Sequence, residues 1–232
     1  IKAHKNHTSL NNTLCEKKMD VSLYDGNLIF KGFIDKLWYS SDKSYVAIID
    51  YKTGKDKESL DNLIYGENLQ LPVYIYLLKN DSEFKHANLV GFYLQKINIV
   101  LPKKGDGSLE EQIQKNLRLE GYTHPDYVDY IDDNRGEYLK NYKENKDTSV
   151  SKSSKIFNDK DVEDLFELVS KKVDEAYNGI MNANFDITAK RIDGVNISCE
   201  YCPFVDCCYK TDKDIVELKG KKWKEEDENA NE

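Results

Sequence analysis

The sequence contains no run of 18 apolar residues, and its start does not show the pattern of basic residues followed by an apolar stretch that marks a secretory signal peptide. We therefore expect no membrane-spanning segment. It also lacks an excess of positive charge, because 34 lysines and arginines stand against 42 aspartates and glutamates, for a formal net charge of −8. A protein that coats nucleic acid by bulk attraction needs the opposite sign, so such a ligand would require a local basic groove.

Cysteine is scarce outside one short segment of the chain. One of the five cysteines is Cys15, and the other four lie between residues 199 and 208. A small secreted domain held by disulfides spreads its cysteines through a shorter chain, so this distribution indicates a cytoplasmic protein whose clustered thiols bind a metal or a cluster. Cys199, Cys202 and Cys208 follow the spacing C-x2-C-x5-C, which suits iron–sulfur or zinc ligation. A complete site needs a fourth ligand.

The composition, with 39% hydrophobic and 33% charged residues, is that of a soluble globular protein, and 232 residues fit one domain. Because the first residue is isoleucine rather than methionine, we expect a fragment or a processed product. Residues 1–13 are polar and predict a flexible lead-in, in which His4 and His7 are solvated. The charged residues 219–232 predict a disordered tail, which leaves residues 14–218 as the folded domain.

Two apolar runs organise the first part of the chain, and each ends near an aspartate. Residues 31–38 and 44–51 are rich in the β-branched and aromatic types that suit a half-buried sheet, and the turn composition SSDKS separates them. The pattern predicts a β-hairpin with Asp35 on one strand and with Asp50 and Lys52 on the other. Strand side chains alternate between two faces, so Asp50 and Lys52 should point the same way.

The residue types in this hairpin suit a hydrolytic metal site. Two carboxylates close together are costly unless a cation lies between them, and Mg²⁺ prefers such oxygen ligands. A neighbouring ammonium can orient a nucleophile or stabilise negative charge on a phosphate. The alternative is that the aspartates form turns and that Asp50 and Lys52 make an ion pair on a solvated sheet. The apolar run before Asp50 ends abruptly in charge, which favours a strand that ends at a cleft.

The remaining strand pattern predicts an α/β protein whose central mixed sheet of four or five strands contains this hairpin. Residues 15–30 read as a strand, a turn and the start of the next strand. Residues 87–97 form a further strand, which should run parallel to the strand of Asp50 because a helix separates the two. Residues 102–154 are polar and predict an insertion or a long ordered excursion.

Helical spacing of apolar residues predicts two flanking helices, at about residues 60–79 and 159–182. Pro72 predicts a boundary or a kink just before it in the first helix. Gln70 and Tyr74 are four residues apart and should share one helix face. From that face they could reach a substrate, or Tyr74 could be a core residue with Gln70 as its solvated neighbour.

Three segments, in this order, resemble the signatures of the RecB-like PD-(D/E)XK nucleases. GFID at residues 32–35, DYKTG at 50–54 and QLPVY at 70–74 are similar to the motifs G-x-x-D, D-Y-K-T-G and Q-x-x-x-Y of that family. The segment CEYCPFVDCC at 199–208 resembles the cysteine cluster that closes the nuclease domain of AddB-type helicase–nucleases. The resemblance covers about residues 16–209, and the order and spacing of the motifs make it specific.

The resemblance implies a restriction-endonuclease-like core with a central mixed sheet flanked by helices, and it implies roles for single residues. The implied ligands of Mg²⁺ or Mn²⁺ are Asp35, Asp50, the main-chain carbonyl of Tyr51 and, as a further candidate, Glu16. The implied catalytic residues are Asp35, Asp50, Lys52 and Gln70, and the implied substrate-binding residues are Gln70 and Tyr74. For Glu16, an exposed glutamate beside two lysines is an equally good interpretation.

The resemblance also implies a 4Fe–4S cluster on Cys199, Cys202 and Cys208. In such proteins the fourth cysteine lies far upstream of the nuclease motifs, so the cluster is incomplete in this sequence. Cys15 is a substitute candidate, although its place beside Glu16 on the first strand argues against it. Zinc is the alternative, since thiolates suit both metals.

The implied function is that of a metal-dependent DNA exonuclease domain. It would be part of an ATP-dependent helicase–nuclease in double-strand break repair and recombination, with DNA and a helicase domain or subunit as partners. Two alternatives stay open, namely a stand-alone exonuclease of a phage or mobile element and an inactive scaffold that holds DNA. The histidine that these families often add upstream is not found here, which agrees with a truncated chain, whereas Asp35, Asp50 and Lys52 argue against an inactive scaffold.

Overall fold

The computed structural model describes residues 4, 6–54, 59–97, 105, 107–186, 188–200 and 202–224. Contacts between Cα atoms divide the chain into two compact units. The first unit comprises residues 1–59 and 69–170, and the second comprises residues 60–68 and 171–232. A single domain over residues 14–218 stays a prediction. Within the described ranges, no helix is long and apolar enough to cross a membrane.

A mixed sheet forms the centre of the first unit. In the part of this unit that the structure describes, its five strands are β1 (Asn12–Leu23), β2 (Leu28–Tyr39), β3 (Tyr45–Lys52), β4 (Asn88–Lys96) and β5 (Glu120–Thr123). Their order in the sheet equals their order in the chain. β3 and β4 run parallel, and the other neighbours are antiparallel. The predicted hairpin and the predicted parallel strand are therefore confirmed.

Three α-helices accompany the strands in the described residues: α1 (Gln70–Asn80), α2 (Leu109–Asn116) and α3 (Asp159–Met181). α3 confirms the helix predicted at residues 159–182, and a reciprocal capping box begins it. The backbone N–H of Asp161 donates to Oδ1 of Asn158 at 3.0 Å, and the N–H of Asn158 donates to Oδ2 of Asp161 at 2.7 Å. Short 3₁₀ turns lie at Tyr24–Gly26, Leu63–Tyr65, Pro125–Tyr130 and Asp212–Asp214.

The prediction of a helix over residues 60–79 is wrong for its first half. The α-helix begins only at Gln70, so that Pro72 lies in the first turn, where its missing N–H costs no hydrogen bond. Upstream, Asn62, Gly66 and Asn68 have positive φ angles of 63°, 90° and 56°. Such left-handed backbone interrupts a helix, so the apolar spacing before Gln70 belongs to a folded turn.

Side chains cover both faces of the sheet. On one face α1 packs against β1, β2 and β3 and buries Leu71, Ile75 and Leu77. The ring of Tyr76 in α1 stacks on Phe166 of α3, with 4.8 Å between ring centroids. The opposite face carries a second core cluster, formed by Leu10, Trp38, Ala47, Ile49, Val90, Tyr93, Leu119, Val128, Ile131, Leu139 and Tyr142.

This packing decides between the two alternatives for one segment and corrects the prediction for another. Of the two alternatives for segment 102–154, the ordered excursion is correct, because its described residues supply β5 and five of the core residues just named, from Leu119 to Tyr142. The lead-in is not solvated throughout, because His4 is buried and its Nε2 lies 2.6 Å from the carbonyl oxygen of Ile131. Burial lowers the pKa of His4. His7 remains half exposed and forms a hydrogen bond with Asp133 at 2.8 Å.

The second unit contains a small sheet with the strand order β7–β6–β8. Its strands are β6 (Ala189–Ile192), β7 (Val195–Asn196) and β8 (Ile215–Leu218), none of which was predicted. The first residues of the predicted tail are also ordered here. The N–H of Lys221 donates to the side chain of Asn62 at 2.9 Å, and the N–H of Trp223 donates to Asp61 at 3.1 Å. Residues 225–232 lie outside the described residues.

Candidate active site

The two predicted aspartates come together where β2 and β3 separate. Hydrogen-bonded pairing of these strands ends at Lys36 opposite Ile49, and the next step would place Asp35 opposite Asp50. Instead, the backbone N–H of Tyr51 donates to Oδ2 of Asp35 at 2.9 Å. The Asp35 carboxylate therefore takes the place of a backbone acceptor and is held at the end of the ladder.

Asp50 is the buried centre of this site, with only 1% of its surface exposed. Its Oδ1 accepts hydrogen bonds from Nε2 of Gln70 at 2.8 Å and from the hydroxyl of Tyr74 at 3.4 Å. Its Oδ2 lies 2.8 Å from Nζ of Lys52 but accepts no hydrogen bond of good geometry from the described residues. Burial raises the pKa of Asp50, and the ammonium of Lys52 acts against this effect.

Gln70 connects the other side chains. Its Nε2 donates to Asp50 and lies 3.0 Å from the hydroxyl oxygen of Tyr74, while its Oε1 accepts from Nζ of Lys52 at 2.6 Å. These contacts decide the orientation of the amide, since only the oxygen can face an ammonium. The structure thus brings together Asp50, Lys52, Gln70 and Tyr74, and the predicted common face of Gln70 and Tyr74 is what α1 presents.

Tyr74 belongs both to the core and to the site. Its ring is buried, with 8% of the residue exposed, and its hydroxyl reaches Oδ1 of Asp50. Burial raises the pKa of Tyr74 to about 12. The hydroxyl therefore keeps its proton at neutral pH and remains a hydrogen-bond donor to the carboxylate.

A close contact explains the glycine of the G-x-x-D segment, which sequence reasoning did not interpret. A Cβ atom added to Gly32 would lie 2.4 Å from Cδ1 of Leu77, a fully buried residue of α1. The absence of a side chain on β2 lets α1 lie close to the sheet. Because Gln70 and Tyr74 are on the same helix, this approach determines how near they come to Asp50.

Glu16 lies beside Asp35 but is not part of a formed ligand set. In the pairing of β1 with β2, Cys15 pairs with Lys36 and Lys17 pairs with Ile34. Glu16 therefore lies opposite Asp35, at a position where the two strands do not pair. It is exposed and has a φ angle of 52°. Across the described ranges, no group of three or more His, Cys, Asp or Glu side chains is arranged to hold a metal ion. The metal role of Glu16 stays a prediction.

The clustered cysteines line one cleft of the second unit. Cys199, Cys202, Cys207 and Cys208 border it together with Phe204, and all four thiols are free. The thiol of Cys207 donates to the carbonyl oxygen of Phe204 at 3.5 Å. The four thiols are among the described residues in which no metal-holding group occurs. Cys15 is a free, exposed cysteine of the first unit.

Comparison with known proteins agrees with this geometry. Residues 2–209 match the family model of the PD-(D/E)XK nuclease superfamily, and the chain belongs to that superfamily. The predicted fold and family are thereby confirmed.

Relatives add a more particular likeness. The chain is 30% identical over 196 residues to the B-type subunit of the ATP-dependent helicase/deoxyribonuclease of Carboxydothermus hydrogenoformans, in an alignment that covers 76% of this chain and 17% of the relative. Proteins of the same name from Thermoanaerobacter sp. strain X514 and Alkaliphilus metalliredigens are each 29% identical, over 194 and 202 residues. These alignments cover 78% and 81% of this chain but only 17% and 18% of the relatives. The chain therefore spans less than a fifth of the length of these relatives.

Proposed function

We propose that this chain is the nuclease domain of a helicase–nuclease and that it hydrolyses phosphodiester bonds of DNA with Mg²⁺ or Mn²⁺. The main observation behind the proposal is the burial of the Asp50 carboxylate. This carboxylate is 1% exposed, and Oδ2 accepts no well-formed hydrogen bond from the described residues. Although the ammonium of Lys52 lies 2.8 Å from this oxygen, a carboxylate this deeply buried is costly even in an ion pair, so its retention points to a ligand.

The donor set near Asp50 suits a hard divalent cation. Mg²⁺ in phosphate chemistry is commonly held by one or two carboxylates, while water and substrate phosphate supply the remaining ligands. Asp35 and Asp50, with the main-chain carbonyl of Tyr51, would provide such a set, and a third carboxylate is not required. When bound, the metal would supply an activated water and neutralise charge on the phosphate.

The neighbouring side chains would handle charge and orientation. The ammonium of Lys52 lies 2.8 Å from Oδ2 of Asp50, where it can stabilise negative charge that develops on a phosphate. Gln70 holds this ammonium through Oε1 at 2.6 Å and holds Asp50 through Nε2 at 2.8 Å. Its role would therefore be to orient the other two groups and the substrate. Tyr74 would support Gln70 from the next helical turn.

The names of the relatives support the larger context. Proteins named as the B-type subunit of an ATP-dependent helicase/deoxyribonuclease match this chain over most of its length, which favours a helicase-linked enzyme over a stand-alone phage exonuclease. We infer that DNA is the substrate, that a helicase domain or subunit is the partner, and that the reaction serves double-strand break repair and recombination.

The decisive experiment is the release of nucleotides from linear DNA by the 232-residue chain with Mg²⁺, with Mn²⁺ and with a chelator. Asp50→Ala should abolish release, since loss of a metal ligand removes a charge stabilisation of several kcal/mol. Asp133→Ala is a control, because Asp133 is an exposed aspartate whose side chain contacts His7 outside the site. A chain that binds DNA without cutting it under any of these conditions would support the inactive scaffold instead.

The cysteine cluster carries a separate proposal, motivated by the C-x2-C-x5-C spacing and by the shared cleft. We infer that Cys199, Cys202 and Cys208 bind a 4Fe–4S cluster when an upstream segment adds a fourth cysteine. A cluster bound in this way would close a long loop of the chain. It would stabilise the fold because it reduces the conformational entropy of the unfolded chain. Iron and sulfide analysis of an anaerobically purified, longer protein tests this proposal, and a colourless product with stoichiometric zinc would contradict it.

A further inference from the structure

Two lysines share one buried glutamate at the edge of the sheet that carries the candidate active site. Oε2 of Glu120 lies 2.6 Å from Nζ of Lys140 and 3.5 Å from Nζ of Lys96. Glu120 is 5% exposed, whereas the Lys140 side chain is 50% exposed. Burial acts to raise the pKa of Glu120, but the two ammonium groups outweigh burial and lower it, so the carboxylate is charged. We call Lys96, Glu120 and Lys140 the edge triad.

The backbone holds the edge triad in place. Glu120 opens β5, where it follows Leu119, and the N–H of Lys140 donates to the carbonyl oxygen of Leu119 at 2.8 Å. In return, the N–H of Leu119 donates to the carbonyl oxygen of Tyr138 at 2.9 Å. Lys140 is therefore fixed by a short ladder beside β5.

Strand register connects the edge triad to the active site. Asp50 pairs with Leu94 and Lys52 pairs with Lys96 in the parallel ladder of β3 and β4, while Leu94 pairs with Glu120 of β5. Paired residues point to the same face of a sheet, and so do residues two apart on one strand. All these side chains thus share one face, with Glu120 two strand spacings, roughly 10 Å, from Asp50.

The charge balance of the edge triad is positive. One carboxylate faces two ammonium groups, which leaves an excess of one positive charge in a chain whose net charge is −8. Lys52, on the same face, lies 2.8 Å from Asp50, so its ammonium is balanced by that carboxylate. A span of roughly 10 Å along the axis of B-form DNA includes about three phosphates of one strand.

A second lysine–glutamate–lysine set in the same unit carries no excess of positive charge. Glu83 contacts Lys17 at 2.7 Å and Lys43 at 2.5 Å, and Lys17 also lies 3.4 Å from Asp81. Two acids therefore balance the two lysines. Lys43 lies in the turn between β2 and β3, at the end of the hairpin opposite to Asp35 and Asp50.

We propose that the edge triad is a phosphate-binding extension of the active site, in which Lys140 and Lys96 contact the backbone of a DNA strand that leads to Asp50. This inference rests on the proposed nuclease function and names the surface that holds its substrate. Glu120 acts as a positioning residue, because it holds both ammonium groups in place and its single negative charge leaves one of their two positive charges unbalanced.

The test compares Lys140→Gln with Lys43→Gln, since the two lysines are similarly exposed at 50% and 45% and each variant removes one charge. Binding of a fluorescein-labelled single-stranded oligonucleotide is followed by anisotropy with a chelator present, so that no cleavage occurs. Lys140→Gln should raise the Kd several-fold and reduce the slope of log K against log salt by about 0.7, the value for one phosphate on a single strand. Lys43→Gln should change neither quantity, and Lys140→Arg should restore binding.

Circular dichroism confirms that each variant is folded, and cleavage by the unsubstituted chain with Mg²⁺ is measured in parallel. Equal effects of Lys140→Gln and Lys43→Gln would overturn the edge triad as a binding surface while leaving the nuclease proposal intact. An unsubstituted chain that binds but does not cut would overturn the nuclease proposal instead. Absence of binding up to on the order of 10⁻⁴ M, the weak limit of non-specific association, would also overturn the edge triad.

Discussion

The side-chain amide of Gln70 donates a hydrogen bond to Oδ1 of Asp50 at 2.8 Å, across 20 residues of chain and between a helix and a strand. The same amide accepts a hydrogen bond from Lys52 at 2.6 Å. One neutral side chain therefore holds an acid and a base that lie two residues apart on β3. Because the amide of Gln70 is neutral, it orients Asp50 and Lys52 without neutralising either of them, and both keep their charge for binding metal or phosphate.

Because Asp50 would bind the metal and Gln70 would orient its neighbours, substitutions at the two positions should reduce DNA cleavage to different extents. Gln70→Ala should lower DNA cleavage by about 10- to 100-fold, the scale expected when reacting groups are misoriented, while Asp50→Ala should abolish it. Binding of Mg²⁺, measured by calorimetry, should persist in Gln70→Ala and be lost in Asp50→Ala. Equal loss of Mg²⁺ in both variants would show that Gln70 acts on the metal site itself.

Burial of the Asp50 carboxylate should cost stability in the absence of metal. Asp50→Asn removes the buried charge and keeps an acceptor for Gln70, so the free energy of unfolding in a chelator should rise by on the order of 1 kcal/mol. Added Mg²⁺ should raise the melting temperature of the unsubstituted chain and leave that of Asp50→Asn unchanged. Asp20→Asn, at an exposed position of β1, serves as the control. Its free energy of unfolding in a chelator and its rise in melting temperature with Mg²⁺ should equal those of the unsubstituted chain. A less stable Asp50→Asn protein would mean that the ion pair with Lys52 outweighs burial.

The contact between Gly32 and Leu77 makes a prediction about helix placement. Gly32→Ala should lower the free energy of unfolding by about 1–3 kcal/mol, because the added methyl group overlaps the fully buried side chain of Leu77, which would have to shift. Gly179→Ala is the matched control. Gly179 lies inside α3 with the nearest atom 4.0 Å from the added Cβ, so alanine should stabilise the helix by about 0.5–1 kcal/mol. Urea denaturation of the three proteins compares them, and a neutral Gly32→Ala would show that α1 does not depend on a bare backbone at this position.

The turn of the hairpin predicts a dependence of stability on pH. Hydrogen bonds from Ser40 and Ser44 lower the pKa of Asp42 from 3.8 to about 2. Because the folded pKa is depressed, the stabilisation is present above pH 3.8 and is lost as the pH falls through about 2. Asp42→Asn should therefore be less stable than the unsubstituted chain at neutral pH, and the difference should shrink between pH 4 and pH 2. Urea midpoints across this range measure it, and a difference that stays constant with pH would contradict the role of the carboxylate.

Local sequence patterns determine several of the strands and helices of this protein. Alternating apolar residues and the SSDKS turn determine the hairpin of Asp35 and Asp50, since strand period and turn chemistry act over a few residues. The period of 3.6 residues likewise determines α3. Residues 60–69 show where such reasoning fails, because apolar spacing alone cannot reveal the left-handed backbone at Asn62, Gly66 and Asn68.

Contacts between distant segments were decided by the tertiary structure alone. No local signal places Lys140 beside Glu120, buries His4 against Ile131 or orders Lys221 on Asn62, because the partners are separated by 20, 127 and 159 residues. The sequence by itself determined which residue types could do the chemistry and that Asp50 and Lys52 share a strand face. Only the fold decided that Asp50 is buried with one oxygen lacking a well-formed hydrogen bond, because burial depends on how α1 docks over Gly32 and not on any residue adjacent to Asp50 in the chain.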